Sequence, residues 1–101
     1  MSNPCGIYSL TNLKNGKRYI GQSTNVCLRL YTHRRCLIGG THRNIRLQRA
    51  WNKYGENSFS FEILEECYPS DLNERELYYV ISRKYVKLCN AIGYPYLNEV
   101  N

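Results

Sequence analysis

The chain has 101 residues, which is enough for one modest hydrophobic core, so we predict a single domain spanning residues 1–101. It contains no apolar run of about 18 residues and no charged N-terminus followed by an apolar stretch, which argues against a membrane span or signal peptide. The five cysteines are scattered, without a C-x-x-C pair or zinc-ligand spacing. These features predict a reduced, cytoplasmic protein.

The net charge is +6, and it is divided unevenly along the chain. Residues 1–55 contain ten Lys or Arg and no Asp or Glu, whereas the remainder contains four basic and eight acidic side chains, a net of −4. A basic half of this kind suits a polyanion, because each neutralised phosphate releases condensed counterions and strengthens binding. Nucleic acid is therefore the expected partner. A basic face that only maintains solubility is the alternative.

The N-terminal segments predict a β-hairpin. Residues 5–11 and 17–22 are β-prone, and the Asn-Gly pair between them favours the positive φ angles of a hairpin turn. If the loop is centred near residues 13–14, Tyr8 and Tyr19 lie roughly opposite each other, and a bulge would shift this pairing.

Two helices are predicted after the hairpin. The first spans about residues 25–38, with Ser23 or Thr24 as its N-cap and two consecutive glycines at its end. The second is capped by Thr41 and extends through Tyr54, with apolar residues in the i, i+3, i+4, i+7 pattern. It presents three arginines outside its apolar stripe.

A third strand and a long helix complete the predicted fold. Residues 58–66 alternate apolar and polar side chains and predict a strand. Pro69 and Ser70 open a last helix that extends through about Leu88. The order strand, strand, helix, helix, strand, helix predicts an α+β fold, a small three-stranded antiparallel sheet flanked by helices.

Two tripeptides stand out on the predicted hairpin, residues 6–8 (Gly-Ile-Tyr) and 19–21 (Tyr-Ile-Gly). Together they resemble the signature of the GIY-YIG nuclease family. The predicted order of elements matches the fold of that family, and the first helix carries Arg29 and His33 where the family has its arginine and histidine. Glu76 precedes a run of leucine and tyrosine and resembles the family's glutamate-then-aromatic motif.

The resemblance is broader than these motifs. Residues 45–66 are similar to phage-type homing endonucleases of the family through their K-Y-G, F-x-F and I-L-E segments, and the whole resemblance covers about residues 5–98. It implies an enzyme of a bacterial or phage-infected host cell. The implied reaction is hydrolysis of DNA phosphodiesters with one divalent metal per active site, Mg²⁺ or Mn²⁺.

The resemblance also implies roles for single residues. Tyr8 would be the general base toward water, which requires its pKa of about 10 to be lowered by nearby cations or by proton transfer to a neighbour such as His33. Arg29 would contact the phosphate, and Tyr19 would help orient water or phosphate. The implied catalytic set is Tyr8, Tyr19, Arg29, His33, Glu76 and Asn98, with Glu76 as the metal ligand.

Two of these assignments have competitors within the sequence. Glu74 lies on the same predicted helix as Glu76, and periodicity cannot choose between them, whereas the family motif favours Glu76. Asn98 competes with Asn90, because the tail departs from the commoner G-Y-N arrangement. Tyrosines in strands are often packing residues, so the paired signature, and not either tyrosine alone, indicates a site.

Basic side chains of the first half are expected to contact DNA phosphates, largely without sequence preference. The candidates are Lys17, Arg18, Arg34, Arg35, His42, Arg43, Arg46 and Arg49. His42 is otherwise interpreted as a surface residue at a helix start.

Three functional interpretations stay open. The preferred one is a metal-dependent DNA endonuclease, of the homing type or acting alone as a nuclease or nickase, as a monomer or transient dimer on DNA. The alternatives are a non-catalytic nucleic-acid-binding module of the same fold and an interaction protein that docks an acidic partner. Homing relatives append a DNA-binding region, and this chain ends at Asn101, so we expect either a truncated protein or a domain that works alone.

Overall fold

The computed structural model describes residues 4–91, which contain three strands and three α-helices. They follow one another as β1 (Gly6–Asn12), β2 (Arg18–Ser23), α1 (Val26–Gly39), α2 (Ile45–Tyr54), β3 (Phe59–Glu66) and α3 (Leu72–Ala91). Single-turn 3₁₀ helices precede β3 and α3, at Glu56–Ser58 and Pro69–Asp71. This order confirms the predicted α+β class.

The central strand of the sheet is β1, which pairs antiparallel with β2 on one edge and β3 on the other. Its side chains alternate between two covered faces, so residues from Gly6 to Leu10 are all buried. One face packs against α1 and α2, and α3 crosses the other. The core on the α1 and α2 side consists of Tyr8, Leu10, Val26, Leu37, Leu47 and Trp51.

The hairpin register differs from the prediction. Tyr8 pairs with Gly21, and Tyr19 pairs with Leu10, so the two tyrosines are offset and do not face each other directly. The pairing is centred one residue later in the loop than predicted, where Gly16 has a φ of +73°. Because strand side chains alternate with a period of two, both tyrosines still lie on the α1 and α2 face.

Both helices on this face are capped by asparagines, so the predicted caps Ser23, Thr24 and Thr41 were wrong. The Oδ1 atoms of Asn25 and Asn44 each accept the backbone N–H three residues later, at 3.1 Å. The second helix therefore begins three residues later than predicted, at Ile45. Asparagine is at least as effective an N-cap as threonine, which explains the later start.

Polar contacts anchor α3 to the sheet. The Arg75 guanidinium donates two hydrogen bonds to the Glu65 carboxylate on β3, at 2.7 and 2.8 Å, and the Tyr79 hydroxyl donates to the same carboxylate at 3.0 Å. Gln22 on β2 donates to Asn73 at 2.8 Å. These contacts fix the position and rotation of the first turns of α3. Within the described part of the chain, no helix is long and apolar enough to cross a membrane.

Candidate active site

Tyr8 is held at the centre of the sheet by β1, and its side chain is only 3% exposed. Its ring leans over Gly21 on β2, where a Cβ atom would lie 2.4 Å from both Cζ and Oη of the phenol. Gly6, at the start of β1, is equally constrained, because a Cβ there would lie 1.9 Å from the carbonyl oxygen of Glu65. Neither position has room for a side chain, so both tripeptides require their glycine.

A chain of hydrogen bonds leads from the Tyr8 phenol to the N-terminus of α2. The Tyr8 Oη lies 2.7 Å from Nε2 of His33, and the other ring nitrogen of His33 lies 2.7 Å from Nε2 of His42. The backbone N–H of Asn44 donates to Nδ1 of His42 at 3.0 Å. The two imidazoles are nearly parallel, with centroids 4.9 Å apart.

The direction of donation along this chain follows from its last member. A backbone N–H can only donate, so Nδ1 of His42 is the acceptor and carries no proton. Burial is the main cause that lowers the pKa of His33 to about 4, and repulsion from Arg29 and from a protonated His42 would oppose its protonation further. Burial also lowers the pKa of His42, so both rings are neutral near pH 7. His42 Nε2–H therefore donates to His33 Nδ1, and His33 Nε2–H donates to the Tyr8 oxygen.

Tyr19, on β2, packs against both histidines and completes a cluster with Tyr8, His33 and His42, here called the Tyr8 cluster. Its ring is partly buried and lies edge-on to both imidazoles, with centroid separations of 5.4 Å to His33 and 6.4 Å to His42. Sequence analysis assigned His42 to DNA contact and missed this position beside the phenols. Its placement depends on the late start of α2, for which the only sequence signal is the capping strength of Asn44.

Two opposite charges act on the Tyr8 phenol. Burial and the neighbouring Tyr19 raise the pKa of Tyr8 to about 12, Arg29 on α1 lowers it, and Glu76 on α3 raises it. The predicted lowering by nearby cations is therefore outweighed by burial. The Glu76 side chain is partly buried, whereas Glu74, its competitor in the sequence, is exposed.

The structure thus brings five of the six predicted catalytic residues together: Tyr8, Tyr19, Arg29, His33 and Glu76. Asn98 lies outside the described residues. Among residues 4–91, no group of three or more His, Cys, Asp or Glu could hold a metal ion. A single carboxylate still fits Mg²⁺, which commonly uses one or two protein carboxylates and completes its shell with water and substrate phosphates.

Most of the predicted DNA-contacting cations are exposed on the surface of the domain. The exposed set is Lys17, Arg18, Arg34, Arg35, Arg43, Arg46 and Arg49. Arg34 is already paired with the carboxylate of Glu56, so a phosphate would compete with that carboxylate for its guanidinium.

The sequence is similar to one protein family and to two endonucleases. The GIY-YIG catalytic domain matches residues 4–86. Intron-associated endonuclease 1 of Enterobacteria phage T4 is 42% identical over 77 residues, which cover 74% of this chain and 31% of that protein. A probable intron-encoded endonuclease 1 of Neurospora crassa is 42% identical over 60 residues, 59% of this chain and 18% of that protein. The chain therefore spans a third or less of these relatives.

Solved structures agree with the sequence comparison. The catalytic domain of the homing endonuclease I-TevI superposes with a TM-score of 0.71 and 34% identity, over 77% of this chain and 86% of that one. A glutamate-to-alanine variant of the same domain gives 0.70 and 37%, over 78% and 82%. The match over most of residues 4–91, in both sequence and fold, shows that the chain belongs to the GIY-YIG family.

Proposed function

We propose that this chain is a divalent-metal-dependent DNA endonuclease domain that hydrolyses phosphodiester bonds at the Tyr8 cluster. The endonuclease names of its relatives support the reaction class. The observation that carries the proposal is the convergence of α1 and α3 on one buried phenol of β1, with His33 hydrogen-bonded to it and the charges of Arg29 and Glu76 acting on its pKa in opposite directions. A cation, a carboxylate and a phenol can together bind a phosphate, hold a metal ion and move a proton.

The two charged side chains have complementary tasks. Arg29 would contact the scissile phosphate with its planar donors and offset charge that develops on the phosphate oxygens. Glu76 would hold Mg²⁺ or Mn²⁺ by its carboxylate, with the remaining positions open to water and phosphate. Once bound, the metal supplies Lewis-acid stabilisation of the phosphate and of the leaving oxygen.

Tyr8 would act as the general base toward the attacking water. A pKa of about 12 keeps the phenol protonated near pH 7, so the task requires that the phenol first release its proton to solvent water when substrate binds, and that the resulting phenolate be stabilised until it accepts a proton from the attacking water. The Nε2–H of His33 donates to the phenolic oxygen, and a donor to the charged form favours ionisation. His33 would therefore stabilise the phenolate and not remove its proton, in contrast to the role considered from the sequence.

The alternative function is a non-catalytic nucleic-acid-binding module with the same fold. Such a module needs the exposed cations but has no use for a buried phenol whose oxygen receives an imidazole hydrogen bond. Burying this polar pair costs desolvation free energy, and the pair makes no contact with a DNA backbone. We therefore favour the enzyme, acting on DNA as a monomer or transient dimer.

The test is nicking of supercoiled plasmid by the wild-type chain in Mg²⁺ or in EDTA, beside Tyr8→Phe. Loss of a general base costs about 10²–10⁴-fold in rate, so Tyr8→Phe should lose activity in that range. Tyr68→Phe is the matched control, because the Tyr68 side chain is 77% exposed and lies outside the cluster. A wild-type chain that binds DNA but cleaves no substrate with Mg²⁺ or Mn²⁺ would favour the binding module.

A further inference from the structure

A pocket of about 230 Å³ lies beside the candidate active site, between the hairpin and the N-terminus of α2. Tyr19 belongs to both, since it lines the pocket and packs against His33 and His42. Ligand pockets for drug-sized molecules span roughly 300–1,000 Å³, so this one lies just below that range and suits a ligand no larger than one nucleotide.

Three asparagines line the pocket, and the side-chain oxygen of each accepts a hydrogen bond from a nearby backbone N–H. The Oδ1 atoms of Asn12 and Asn15 accept the backbone N–H two residues later at 2.9 Å, and that of Asn44 accepts the N–H three residues later at 3.1 Å. These oxygens are therefore engaged by the backbone, which leaves the side-chain NH₂ groups of Asn15 and Asn44 as the amide atoms that a ligand could meet.

Asn12 lines the pocket but does not present its amide donor to it. The side chain is 2% exposed, and its Nδ2, which has no hydrogen-bond partner, is buried, as are the unpaired hydroxyl oxygens of Ser9 and Thr11 on the same strand. The amide donors available to a ligand are therefore those of Asn15 and Asn44.

The charged side chains that line the pocket are all cationic, and like the asparagine NH₂ groups they are hydrogen-bond donors. Lys17, Arg18 and Arg46 line it and are exposed, and no Asp or Glu is among its lining residues. Lys and Arg have donors and no acceptors. The polar lining is thus dominated by donors with a net positive charge, and it suits an anion that offers acceptors only. A phosphate group fits that description.

The remainder of the lining is apolar. It consists of Leu10, Leu47, Ala50 and Phe59. We propose that the pocket binds one nucleotide of the substrate next to the scissile phosphate, with its phosphate against the donors and its sugar and base against the apolar side chains. The inference rests on the proposed function, because that function makes DNA the substrate.

The test uses the mononucleotide thymidine 5′-monophosphate as the probe, with ¹⁵N-labelled protein followed by NMR. We expect shifts in the side-chain NH₂ signals of Asn15 and Asn44, and smaller shifts with thymidine or with inorganic phosphate alone. No shift in these signals would overturn the proposal. Shifts with inorganic phosphate equal to those with the nucleotide would overturn the part that concerns sugar and base.

Two isosteric variants sharpen the test. Asn44→Asp and Asn15→Asp keep the oxygen that accepts the backbone N–H but replace the NH₂ donor by an anionic oxygen. We expect about tenfold weaker binding of the nucleotide, as hydrogen bonds to charged groups are among the strong ones. Asn25→Asp is the control, because it makes the same change at the N-cap of α1, outside the pocket. Equal affinity of Asn44→Asp and wild type would contradict the site.

Plasmid nicking, measured in parallel, separates this inference from the proposed function. Nucleotide binding by a chain that never cleaves DNA would overturn the nuclease and leave the pocket. Cleavage by a chain that binds no nucleotide in the pocket would overturn the pocket and leave the nuclease.

Discussion

The Tyr8 hydroxyl oxygen lies 2.7 Å from Nε2 of His33, and both side chains are buried. Because the Asn44 backbone N–H orients His42, and His42 in turn orients His33, the proton on His33 faces the phenol. The phenol is thereby supplied with a donor that favours its ionised form.

The first prediction concerns these tautomers. Both His33 and His42 should carry their proton on Nε2 near pH 7, which ¹⁵N chemical shifts of the ring nitrogens report directly. His42→Ala should slow nicking by about tenfold, since loss of one hydrogen bond that holds a catalytic group in place costs about 1 kcal/mol or more. A His33 protonated on Nδ1 in the wild type would contradict the proposed direction of donation.

The second prediction concerns stability at acidic pH. The pKa of His33 is about 4 in the folded chain and 6.5 ordinarily, so the unfolded chain binds more protons between these values. The stabilisation is complete above pH 6.5 and is lost as pH falls toward 4, by about 3 kcal/mol at most. Urea unfolding at pH 7 and at pH 4.5 measures the difference. His33→Gln should remove much of it, and an unchanged difference in that variant would contradict the assignment.

The third prediction concerns the space under the Tyr8 ring. In Gly21→Ala, the new methyl group would lie 2.4 Å from ring atoms of Tyr8, so the ring must move away from its position beside His33. We expect at least a hundredfold loss of nicking, because small displacements of a catalytic group cost about 10²-fold. Gly39→Ala is the control, since its nearest neighbour would be Thr41 Oγ1 at 3.8 Å. Wild-type activity in a folded Gly21→Ala protein would show that Tyr8 is not required at this position.

The fourth prediction concerns the clamp between α3 and β3. Arg75 binds the Glu65 carboxylate with two donors, one residue before Glu76. Arg75→Lys keeps the charge but loses the paired geometry, so Glu76 should be held less firmly and half-maximal nicking should require more Mg²⁺. Glu65→Gln should act in the same way, and the double variant should add little to either single one. Fully additive effects would show that the two residues act separately.

Local sequence patterns predicted the elements of this fold better than their ends. The strand and helix order followed from β-prone segments, apolar periodicity and glycines, and the structure confirms it. The cap positions were missed because threonine and asparagine both cap helices, and only the somewhat stronger capping by asparagine separates Asn44 from Thr41. The start of α2 at Ile45 in turn places His42 beside His33, and the cap at Asn44 is the only local signal of that placement.

Contacts between distant segments were beyond sequence reasoning. The pairing of Arg34 with Glu56 joins residues 22 positions apart, and the Arg75–Glu65 clamp joins a helix to a strand. The elevated pKa of Tyr8 likewise depends on burial by the assembled core. The family resemblance identified Tyr8, Tyr19 and His33 in the cluster, but the place of His42 and the direction of donation required the geometry.

The central claim is that metal-dependent cleavage depends on the Glu76 carboxylate near Tyr8. The most direct measurement is the rate of plasmid nicking in Mg²⁺ by Glu76→Gln and Glu74→Gln, two equal changes on one helix. The Glu76 side chain is partly buried and its charge raises the pKa of Tyr8, whereas Glu74 is exposed. We predict that Glu76→Gln loses Mg²⁺-dependent nicking while Glu74→Gln keeps the wild-type rate within about twofold. Activity that persists in Glu76→Gln, or is lost in Glu74→Gln instead, would contradict the account.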